Sequence, residues 1–598
     1  MSLINLEDLI LKKPYLKLYL NSIQNGNENY KLSQAKGKEE YYLTFQNKNL
    51  TSAVAPLTAS LRMIGESPIK ETELVVVLGL GNPHLITELN NKLQQNQIII
   101  FIDSSEDVLN PLWEKFLYPT LSIPGRHIFL GDKLLHLLWS YIESLPIERL
   151  SGIKVFKNQP SVQLDVNFYE EIHQKINQLF SSKMSDLLTK FEFERIWVRN
   201  SIINLIQFNR NEIPCYRFKD YLGTLENIPA MLVSAGPSPR SQCPFIKKNR
   251  DKVFLIACDT ALKVLLKFNI IPDAVMTLDA QTHSYFHFLG EDLTEIPIFA
   301  DFVTSPRLLR SLSFKSIVHS LTAKFQVDAY GKPFREVTAG GEIVEEKLGS
   351  IGEVQSGGSV ATSAFDIIRQ MGCSPIFLVG QDLAYTGREI HSTGTHHNEK
   401  WLTIINRKKS LEKINEEIVR KRETTFVKAA NGGQVLTDYV LGLYKHWFEE
   451  SANSTNLPIY NINENGSYIE NLKNISVATA EDVFLNISEH KYPWKNLNPW
   501  KKDNSEKMEN KIQKEEFLND LNHLKQFIDC SHHLESQQFT EELLDKVKMI
   551  PYLKQMIRKT EIYVKRHELE LTENRKKDIL VSSILKEIRF LKKGILIA

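Results

Sequence analysis

The sequence has few cysteines, no long apolar run and no surplus of either charge, and each absence removes a class of protein. Five cysteines are spread over 598 residues without a Cys-x-x-Cys pair, so neither a disulfide framework nor a cysteine zinc site is predicted. No apolar run approaches the ~20 residues that a spanning helix needs. Lys and Arg number 73 against 72 Asp and Glu, which leaves no basic excess for nucleic acid. We therefore expect a cytoplasmic protein that binds neither nucleic acid nor membrane and requires no metal or other cofactor.

Glycine is also missing from a long stretch, between Ser467 and Gly594. From Lys501 onward the chain is rich in Lys, Glu, Leu and Ile, with apolar residues at helical spacing, which predicts amphipathic helices. Together with shifts in composition earlier in the chain, this divides the sequence into four parts. They are a Rossmann-like N-terminal domain (1–160), a helical connector (161–215), a central α/β domain (216–480) and an all-helical C-terminal domain (500–598).

The central domain is predicted from apolar runs that end in small or polar residues. The first is Pro229-Ala-Met-Leu-Val-Ser-Ala-Gly-Pro-Ser238, and four similar runs end near Asp259, Asp279, Asp301 and Asp382. Apolar runs separated by helical segments are typical of parallel strands buried on both faces. The fold class is therefore α/β, with a Rossmann-like parallel sheet whose ligands lie beyond the carboxyl ends of the strands.

A second glycine turn, Gly79-Leu-Gly81, follows an apolar run in the N-terminal domain. Asp103 ends the next run, at a spacing that suits an adenosine ribose contact. His84 stands where the third glycine of a dinucleotide turn belongs. A nucleotide or S-adenosylmethionine site and a purely structural turn are both open, and the structural interpretation is favoured.

Two segments of small residues are candidate phosphate or sugar sites. Gly236-Pro237-Ser238 follows a strand directly, and Ser356-Gly357-Gly358-Ser359 opens a helix. Small residues let backbone N–H groups approach an anion closely, and a helix N-terminus adds a favourable dipole. The alternative for each is a tight turn that needs small residues.

Carboxylates follow three of the predicted strands, at Asp259, Asp279 and Asp382. They are expected to share one edge of the sheet, where they can hold sugar hydroxyls, a sugar amine or a divalent cation. Helix N-capping is the alternative, strongest for Asp259. Neighbouring polar and small residues complete the predicted nucleotide site, namely Thr260, Gln281, Gly380 and Gln381.

Three histidines, His391, His396 and His397, lie in a polar loop beyond the last of these strands. A neutral imidazole there can act as a general base towards a hydroxyl. A metal site lacks a clearly spaced acidic or cysteine partner, and a solvated loop is the remaining alternative.

The sequence resembles the bacterial motility accessory factor (Maf) glycosyltransferases over roughly 74–475. The motifs that carry the resemblance are Pro229–Ser238, Ile256-Ala-Cys-Asp-Thr-Ala-Leu-Lys263, Ile271-Pro-Asp-Ala-Val275, Leu278-Asp-Ala-Gln281, Gly357-Gly-Ser-Val-Ala361, Val379-Gly-Gln-Asp-Leu-Ala-Tyr385, Trp197-Val-Arg-Asn200, Asn431-Gly-Gly433 and Asn463–Glu470. The resemblance implies transfer of a nonulosonic acid, such as pseudaminic or legionaminic acid, from a CMP-activated donor to Ser or Thr hydroxyls of flagellin.

The central domain is also similar to bacterial CMP-sialic-acid sialyltransferases, at Gly236-Pro-Ser238, Ser356-Gly357 and Gly380-Gln-Asp382. This similarity implies that both glycine turns hold CMP and that His391, Asp382 and Tyr385 form the catalytic set. His391 would deprotonate the acceptor, and Tyr385 would donate to the departing phosphate. The histidine loop departs from the sialyltransferase pattern, so the choice among the three histidines stays open.

Two other functions remain open on sequence. The same core resembles hydroxymethylpterin pyrophosphokinases, which would use the aspartates for magnesium and ATP. A non-catalytic flagellin-binding motility factor with a degenerate pocket is the other. The chain also departs from the Maf pattern after Asn463, where Glu464-Asn-Gly466 replaces a Gly-Gly turn.

Overall fold

The computed structural model describes residues 3–25, 28–65, 69–94, 97–132, 135–145, 147–208, 213–327, 333–487, 513–531, 533–568 and 570–598. The chain forms two compact units. The first comprises Met1–Phe191, Gln326–Phe334 and Glu561–Leu571, and the second comprises Glu192–Phe325, Arg335–Thr560 and Thr572–Ala598. No helix of the described residues is both long and apolar enough to cross a bilayer.

The first unit contains seven of the described strands. They are β1 (Tyr30–Gln34), β2 (Tyr41–Phe45), β3 (Lys48–Asn49), β4 (Glu73–Leu78), β5 (Ile99–Asp103), β6 (Arg126–Leu130) and β7 (Gly152–Lys157). Strands β1 to β3 form an antiparallel sheet, and the other four form a parallel sheet in the order β6-β5-β4-β7. This parallel sheet confirms the predicted Rossmann-like N-terminal fold.

Helices surround these strands. The described helical segments of the first unit are Leu3–Lys12, Pro14–Tyr19, Leu20–Gln24, Pro56–Gly65, Pro83–Lys92, Glu106–Val108, Leu109–Leu112, Trp113–Leu117, Tyr118–Leu121, Leu135–Ser144, Ile147–Arg149, Gln159–Val162 and the beginning of Val166–Phe208. Strand β4 shows why the sheet needs cover on both faces: Val75 and Val77 pack in one hydrophobic cluster, and Leu74 and Val76 in another. Alternate strand residues point to opposite faces, so both faces of the sheet are buried.

The glycine turn after β4 is filled by the chain itself. Gly79 has a φ of +86°, and a Cβ there would lie 2.5 Å from Ser161 Cβ. The Ser161 hydroxyl accepts the Gly81 N–H at 3.1 Å, and Asp103 accepts the Leu80 N–H at 2.7 Å. His84, in the place of a third glycine, accepts the Tyr41 N–H at 2.8 Å. These contacts favour the structural interpretation of this turn over a nucleotide site.

The second unit is built on an eleven-stranded sheet and a separate two-stranded hairpin. The strands are β8 (Cys215–Arg217), β9 (Ala230–Val233), β10 (Phe254–Cys258), β11 (Ala274–Thr277), β12 (Ile298–Asp301), β13 (Ile317–Val327), β14 (Pro333–Val337), β15 (Glu353–Val354), β16 (Ile376–Val379), β17 (Thr424–Lys428), β18 (Gln434–Asp438), β19 (Ile459–Ile462) and β20 (Lys473–Ile475). The main order is β14-β13-β12-β11-β10-β9-β16-β19-β20, with β8 and β15 also paired to β13.

Neighbouring strands from β13 through β20 in this order are parallel. Every residue of β9, β10, β11, β12 and β16 is buried. This confirms the parallel sheet that the apolar runs predicted. The hairpin β17–β18 is antiparallel and turns at Asn431-Gly432, as its sequence predicts.

The helices of the second unit fall into two groups. Those that flank the sheet and the site are the end of Val166–Phe208, Phe218–Tyr221, Pro239–Lys248, Arg250–Lys252, Asp259–Lys267, Thr282–His287, Pro306–Ser311, Gly341–Leu348, Val360–Gln370, Thr386–Arg388, His396–Leu402, Leu411–Val419, Tyr439–Asn453 and Val477–Leu485. The C-terminal group is Lys514–Cys530, Ser536–Lys548, most of Pro551–Arg566 and Glu573–Ile597.

The C-terminal helices share a hydrophobic core with the rest of the second unit. Ile584, Leu591 and Ile595 pack in one cluster with Val198 and Ile202 of the long helix. The helices predicted after residue 500 are confirmed within the described residues 513–531, 533–568 and 570–598, and 500–512 lie outside the described residues. The division into four domains, which treats these helices as separate from 216–480, stays a prediction about independent folding.

Candidate active site

The candidate site lies where the order of the sheet reverses. After β9 the chain adds β10, β11, β12 and β13 on one side, and then returns to place β16 on the other side of β9. A parallel sheet leaves a crevice at the carboxyl ends of two such strands, and ligands of α/β proteins bind there. Gly236-Pro237-Ser238 follows β9 and Gly380-Gln381-Asp382 follows β16. The topology thus brings two of the predicted motifs together.

Hydrogen bonds join these two turns directly. The Gly236 N–H donates to the Gly380 carbonyl at 3.0 Å. Asp382 Oδ2 accepts from the Ser238 N–H at 3.1 Å and from the Ser238 hydroxyl at 2.8 Å. A Cβ on Gly236 would lie 2.5 Å from the Gly380 carbonyl oxygen and would also overlap the Asp382 carboxylate. Glycine is therefore required at 236 by close approach.

Asp382 is buried, with 1% of its surface exposed. Burial raises the pKa of Asp382 to about 6, although the hydrogen bonds from Ser238 act in the opposite direction. Its carboxylate accepts the Ser238 N–H, so that amide is not available to a phosphate in this arrangement. Asp382 therefore positions the turn after β9, and a catalytic role for this carboxylate stays a prediction.

His391 lies against the same turn. Its Nδ1 is 3.3 Å from the Ala235 carbonyl oxygen. A carbonyl only accepts, so Nδ1 carries the proton and Nε2 presents a lone pair. Burial lowers the pKa of His391, which keeps the ring neutral near pH 7. A neutral imidazole with a free acceptor nitrogen is the form that a general base requires.

The other two loop histidines join His391 in a cluster that also includes His287, from the turn after β11. The rings of His391 and His397 stack with centroids 5.0 Å apart, and His287 lies 5.1 Å from His397. His396 stacks on Phe286 at 5.3 Å. Burial lowers the pKa of both His287 and His397 to about 3. His287 meets His397 edge-on rather than face to face. The described residues contain no group of three or more His, Cys, Asp or Glu side chains arranged for a metal.

Asp259 and Asp279 follow β10 and β11 at the same edge, as predicted. Asp259 accepts from the Thr277 hydroxyl at 2.7 Å and from the Thr260 N–H at 2.6 Å. Asp279 accepts the Gln281 N–H at 2.8 Å and lies 3.3 Å from His283 Nε2. Burial raises the pKa of both carboxyls. The capping alternative for Asp259 is wrong, because Cys258 is the N-cap and Asp259 is the first helical residue.

Ser356-Gly357-Gly358-Ser359 opens the helix Val360–Gln370, as predicted, but its polar groups bond within the segment. The Ser359 hydroxyl accepts the Thr362 N–H at 3.2 Å, and the Thr362 hydroxyl accepts the Gly357 N–H at 2.9 Å. Gly358 has a φ of +96°, and a Cβ on Gly357 would overlap the Trp447 side chain. The tight-turn interpretation therefore accounts for the small residues, and an additional nucleotide contact stays a prediction.

Tyr385 is buried and faces the hairpin. Its hydroxyl donates to Asp438, which also pairs with Arg422 at 2.7 Å, and its N–H donates to the Leu436 carbonyl at 2.8 Å. A role towards a phosphate, which stays a prediction, would require the phenol to exchange its partner.

Sequence reasoning assigned no role at the site to three of its supports, although two of them lie in segments that carry the family resemblance. Asn463 Oδ1 accepts the Gly466 N–H at 2.8 Å, and this turn places the Ser467 N–H 2.8 Å from the Asp382 carbonyl. On the long helix, Asn200 Nδ2 donates at 2.9 Å to the Ala280 and Val303 carbonyls, which follow β11 and β12. The third support is Asp438. The Asn-x-x-Gly spacing at 463–466 was the available signal; nothing local marks Asn200 or Asp438 as partners.

Three buried polar atoms near the two turns lack hydrogen-bond partners among the described residues. They are Gln381 Oε1, Ser392 Oγ and Ser467 Oγ. Gln381 is 4% exposed and the two serines are fully buried. Buried polar atoms are normally paired, so these three are groups that a polar ligand or ordered water would satisfy.

Comparisons with known proteins agree with this fold. A family model described as "6-hydroxymethylpterin diphosphokinase MptE-like" matches residues 200–388. Two uncharacterized proteins of Treponema pallidum (strain Nichols) are similar in sequence. One is 27% identical over 232 residues, 38% of this chain and 38% of that protein. The other is 29% identical over 124 residues, which are 20% of this chain and 55% of that protein. The chain thus spans about two fifths of the length of the first relative and just over half of the length of the second.

A solved structure, that of the Maf glycosyltransferase from Magnetospirillum magneticum AMB-1, is similar over almost the whole chain. The TM-score is 0.53 at 15% identity, over 98% of this chain and 96% of that one. At this identity the likeness concerns the fold. Both resemblances seen in the sequence, to Maf proteins and to pterin pyrophosphokinases, are matched by these comparisons, and the chain shares its fold with a Maf glycosyltransferase.

Proposed function

We propose that this protein is a glycosyltransferase that moves a nonulosonic acid from a CMP-activated donor to hydroxyl groups of a protein acceptor, with flagellin as that acceptor. The observation that carries the proposal is the crevice between β9 and β16. There a glycine turn, a buried carboxylate and a neutral histidine with a free acceptor nitrogen meet. The fold shared with a Maf glycosyltransferase supports the same reaction class.

The chain's own residues supply general-base and positioning chemistry. His391 Nε2 takes the proton of the acceptor hydroxyl as its oxygen attacks the anomeric carbon of the donor. The bond from that carbon to the CMP phosphate oxygen breaks, and CMP leaves with the electron pair. Asp382 holds the Ser238 turn in place beneath the donor, and Gln381, Ser392 and Ser467 provide the unpaired polar atoms that contact it.

The first test is a thermal-shift titration with CMP, CDP, ATP and S-adenosylmethionine, each with and without magnesium. A ligand at about 100 times its dissociation constant stabilises the folded state by roughly 2.7 kcal/mol. We expect CMP to stabilise the protein without magnesium. CMP release from a CMP-nonulosonate, with and without purified flagellin, then tests the reaction itself. The proposal fails if neither CMP binding nor CMP release is detected.

A pterin pyrophosphokinase is the second candidate, because the matching family model covers Asp259, Asp279 and Asp382. Each of these carboxylates already accepts hydrogen bonds from its own surroundings. A magnesium-dependent stabilisation by ATP, without any effect of CMP, would select this function instead.

A further inference from the structure

The hairpin β17–β18 lies next to the candidate site and is not part of the large sheet. Its inner strand, β18, is bonded to the segment that follows Asp382: the Leu436 carbonyl accepts the Tyr385 N–H, and the Thr437 hydroxyl donates to the Leu383 carbonyl at 2.9 Å. Its outer strand, β17, is exposed at four of its five positions. A two-stranded hairpin is only marginally stable by itself. The bonds from β18 to the segment after Asp382 hold this hairpin in place, whereas β17 is exposed to solvent.

The register shows which backbone groups of β17 face outward. Ala429 N–H donates to the Gly433 carbonyl across the hairpin at 2.9 Å. Along an antiparallel pair, residues whose N–H and C=O point to the partner strand alternate with residues whose N–H and C=O point away from it. The backbone groups of Val427 therefore face β18, and those of Phe426 face outward. The Lys428 carbonyl, another outward group, accepts the Tyr468 N–H at 2.9 Å, which agrees with this register.

The outward N–H and C=O groups of Thr424 and Phe426 have no hydrogen bond to another element among the described residues. The Phe426 side chain is 65% exposed. Natural sheets usually protect such edges with charges, proline or a covering element, because an open edge pairs with any available strand. An edge with free backbone groups and an exposed aromatic ring is the arrangement that binds an extended peptide as an added strand.

The edge is also continuous with the candidate site. Thr424 pairs with Asp438 across the hairpin, and Asp438 binds Tyr385 and Arg422. Because the Lys428 carbonyl already bonds Tyr468, the open part of β17 runs from Thr424 to Val427, a length of about 13 Å that can order about three or four residues of a partner. We propose that β17 binds an extended segment of the acceptor protein as a third strand, which delivers the acceptor hydroxyl to the site. This inference rests on the proposed transferase function.

The test measures backbone protection and activity separately. Hydrogen–deuterium exchange of residues 424–428 is followed with and without purified flagellin monomer. We expect exchange of the Phe426 amide to slow at least tenfold with flagellin. Phe426→Pro removes the outward N–H without breaking the ladder to β18, and Phe426→Leu keeps it. The KM for flagellin should rise at least tenfold in the proline variant and stay within about twofold in the leucine variant.

Release of CMP into water, without flagellin, separates this inference from the proposed function. Both variants should retain wild-type release, because Phe426 makes no hydrogen bond to the turns after β9 and β16 among the described residues. Normal CMP release and transfer with unchanged exchange in β17 would overturn the inference and leave the function standing. Protection of β17 in a protein that neither binds CMP nor releases it, with or without flagellin, would support the docking strand and reject the transferase. Absence of any flagellin binding would overturn the inference.

Discussion

The carboxylate of Asp382 accepts both the N–H and the hydroxyl of Ser238, at 3.1 and 2.8 Å. The two residues follow different strands, β16 and β9, so their hydrogen bonds fix the floor of the crevice. A charged acceptor makes such bonds stronger than neutral ones, and Ser238 is thereby held in one orientation.

Replacing Ser238 by alanine should weaken CMP binding. The variant loses the hydroxyl bond but keeps the amide bond, and a hydrogen bond to a charged group contributes about 1.5–3 kcal/mol. We expect the Kd for CMP to rise about tenfold, measured by calorimetry. Ser241→Ala is the matched control, because its exposed hydroxyl donates only to the Ser238 carbonyl. Equal affinities in all three proteins would show that the turn does not bind CMP.

Gly236→Ala should lower both stability and CMP binding. The added methyl would lie 2.5 Å from the Gly380 carbonyl oxygen and overlap Asp382, and overpacking of this kind costs about 1–3 kcal/mol. Gly442→Ala, in the helix Tyr439–Asn453, meets nothing within 4 Å and should gain about 1 kcal/mol from helix propensity. Urea unfolding compares the two, and a Gly236→Ala protein as stable as wild type would contradict the close packing.

His391→Gln should abolish most of the transfer without unfolding the protein. Loss of a general base lowers kcat by about 10²–10⁴-fold. His446→Gln is the control, because that histidine is two-thirds exposed and pairs with Glu450. If His391→Gln retains activity and His397→Gln is inactive, the base is His397 instead.

Stability should fall below pH 6.5 in a way that depends on His287. Burial lowers the pKa of His287 to about 3 in the folded protein, whereas the unfolded chain has a pKa near 6.5. As the pH falls, the unfolded chain therefore binds the proton first, and stability present above pH 6.5 is lost towards pH 3. At pH 5 the loss is about 2 kcal/mol. In urea unfolding, the free energy of unfolding of His287→Gln should fall by about 2 kcal/mol less than that of the wild type between pH 7.5 and pH 5. The same pH dependence in both proteins would contradict the buried neutral state of His287.

The parallel strands could be predicted from the sequence because their signals are local. β9, β10, β11 and β16 are short apolar runs bounded by turn residues, and their carboxyl ends had to share an edge. The same reasoning correctly placed Asp259, Asp279 and Asp382 together. The hairpin was equally accessible, since Asn431-Gly432 specifies its turn.

The contacts between distant segments could not be predicted in this way. His287 meets His397 only because the loops after β11 and β16 converge, and nothing near either residue encodes the other. Likewise, Ser161 fills the turn at Gly79, where local spacing alone suggested a ribose site. Asp438 takes the Tyr385 hydroxyl from a hairpin whose position depends on the tertiary fold.

Asn200 supports the loops after β11 and β12, and the helix that carries it packs against the last helix described. Gly594 approaches Arg199 so closely that a Cβ there would lie 3.0 Å from the Arg199 side chain. Domains fold as the chain emerges during synthesis. The large sheet can therefore assemble while the ribosome is still translating, but these two loops gain their full support only after Glu573–Ile597 has emerged. Nascent chains should thus hold the loops after β11 and β12 less firmly until synthesis is nearly complete.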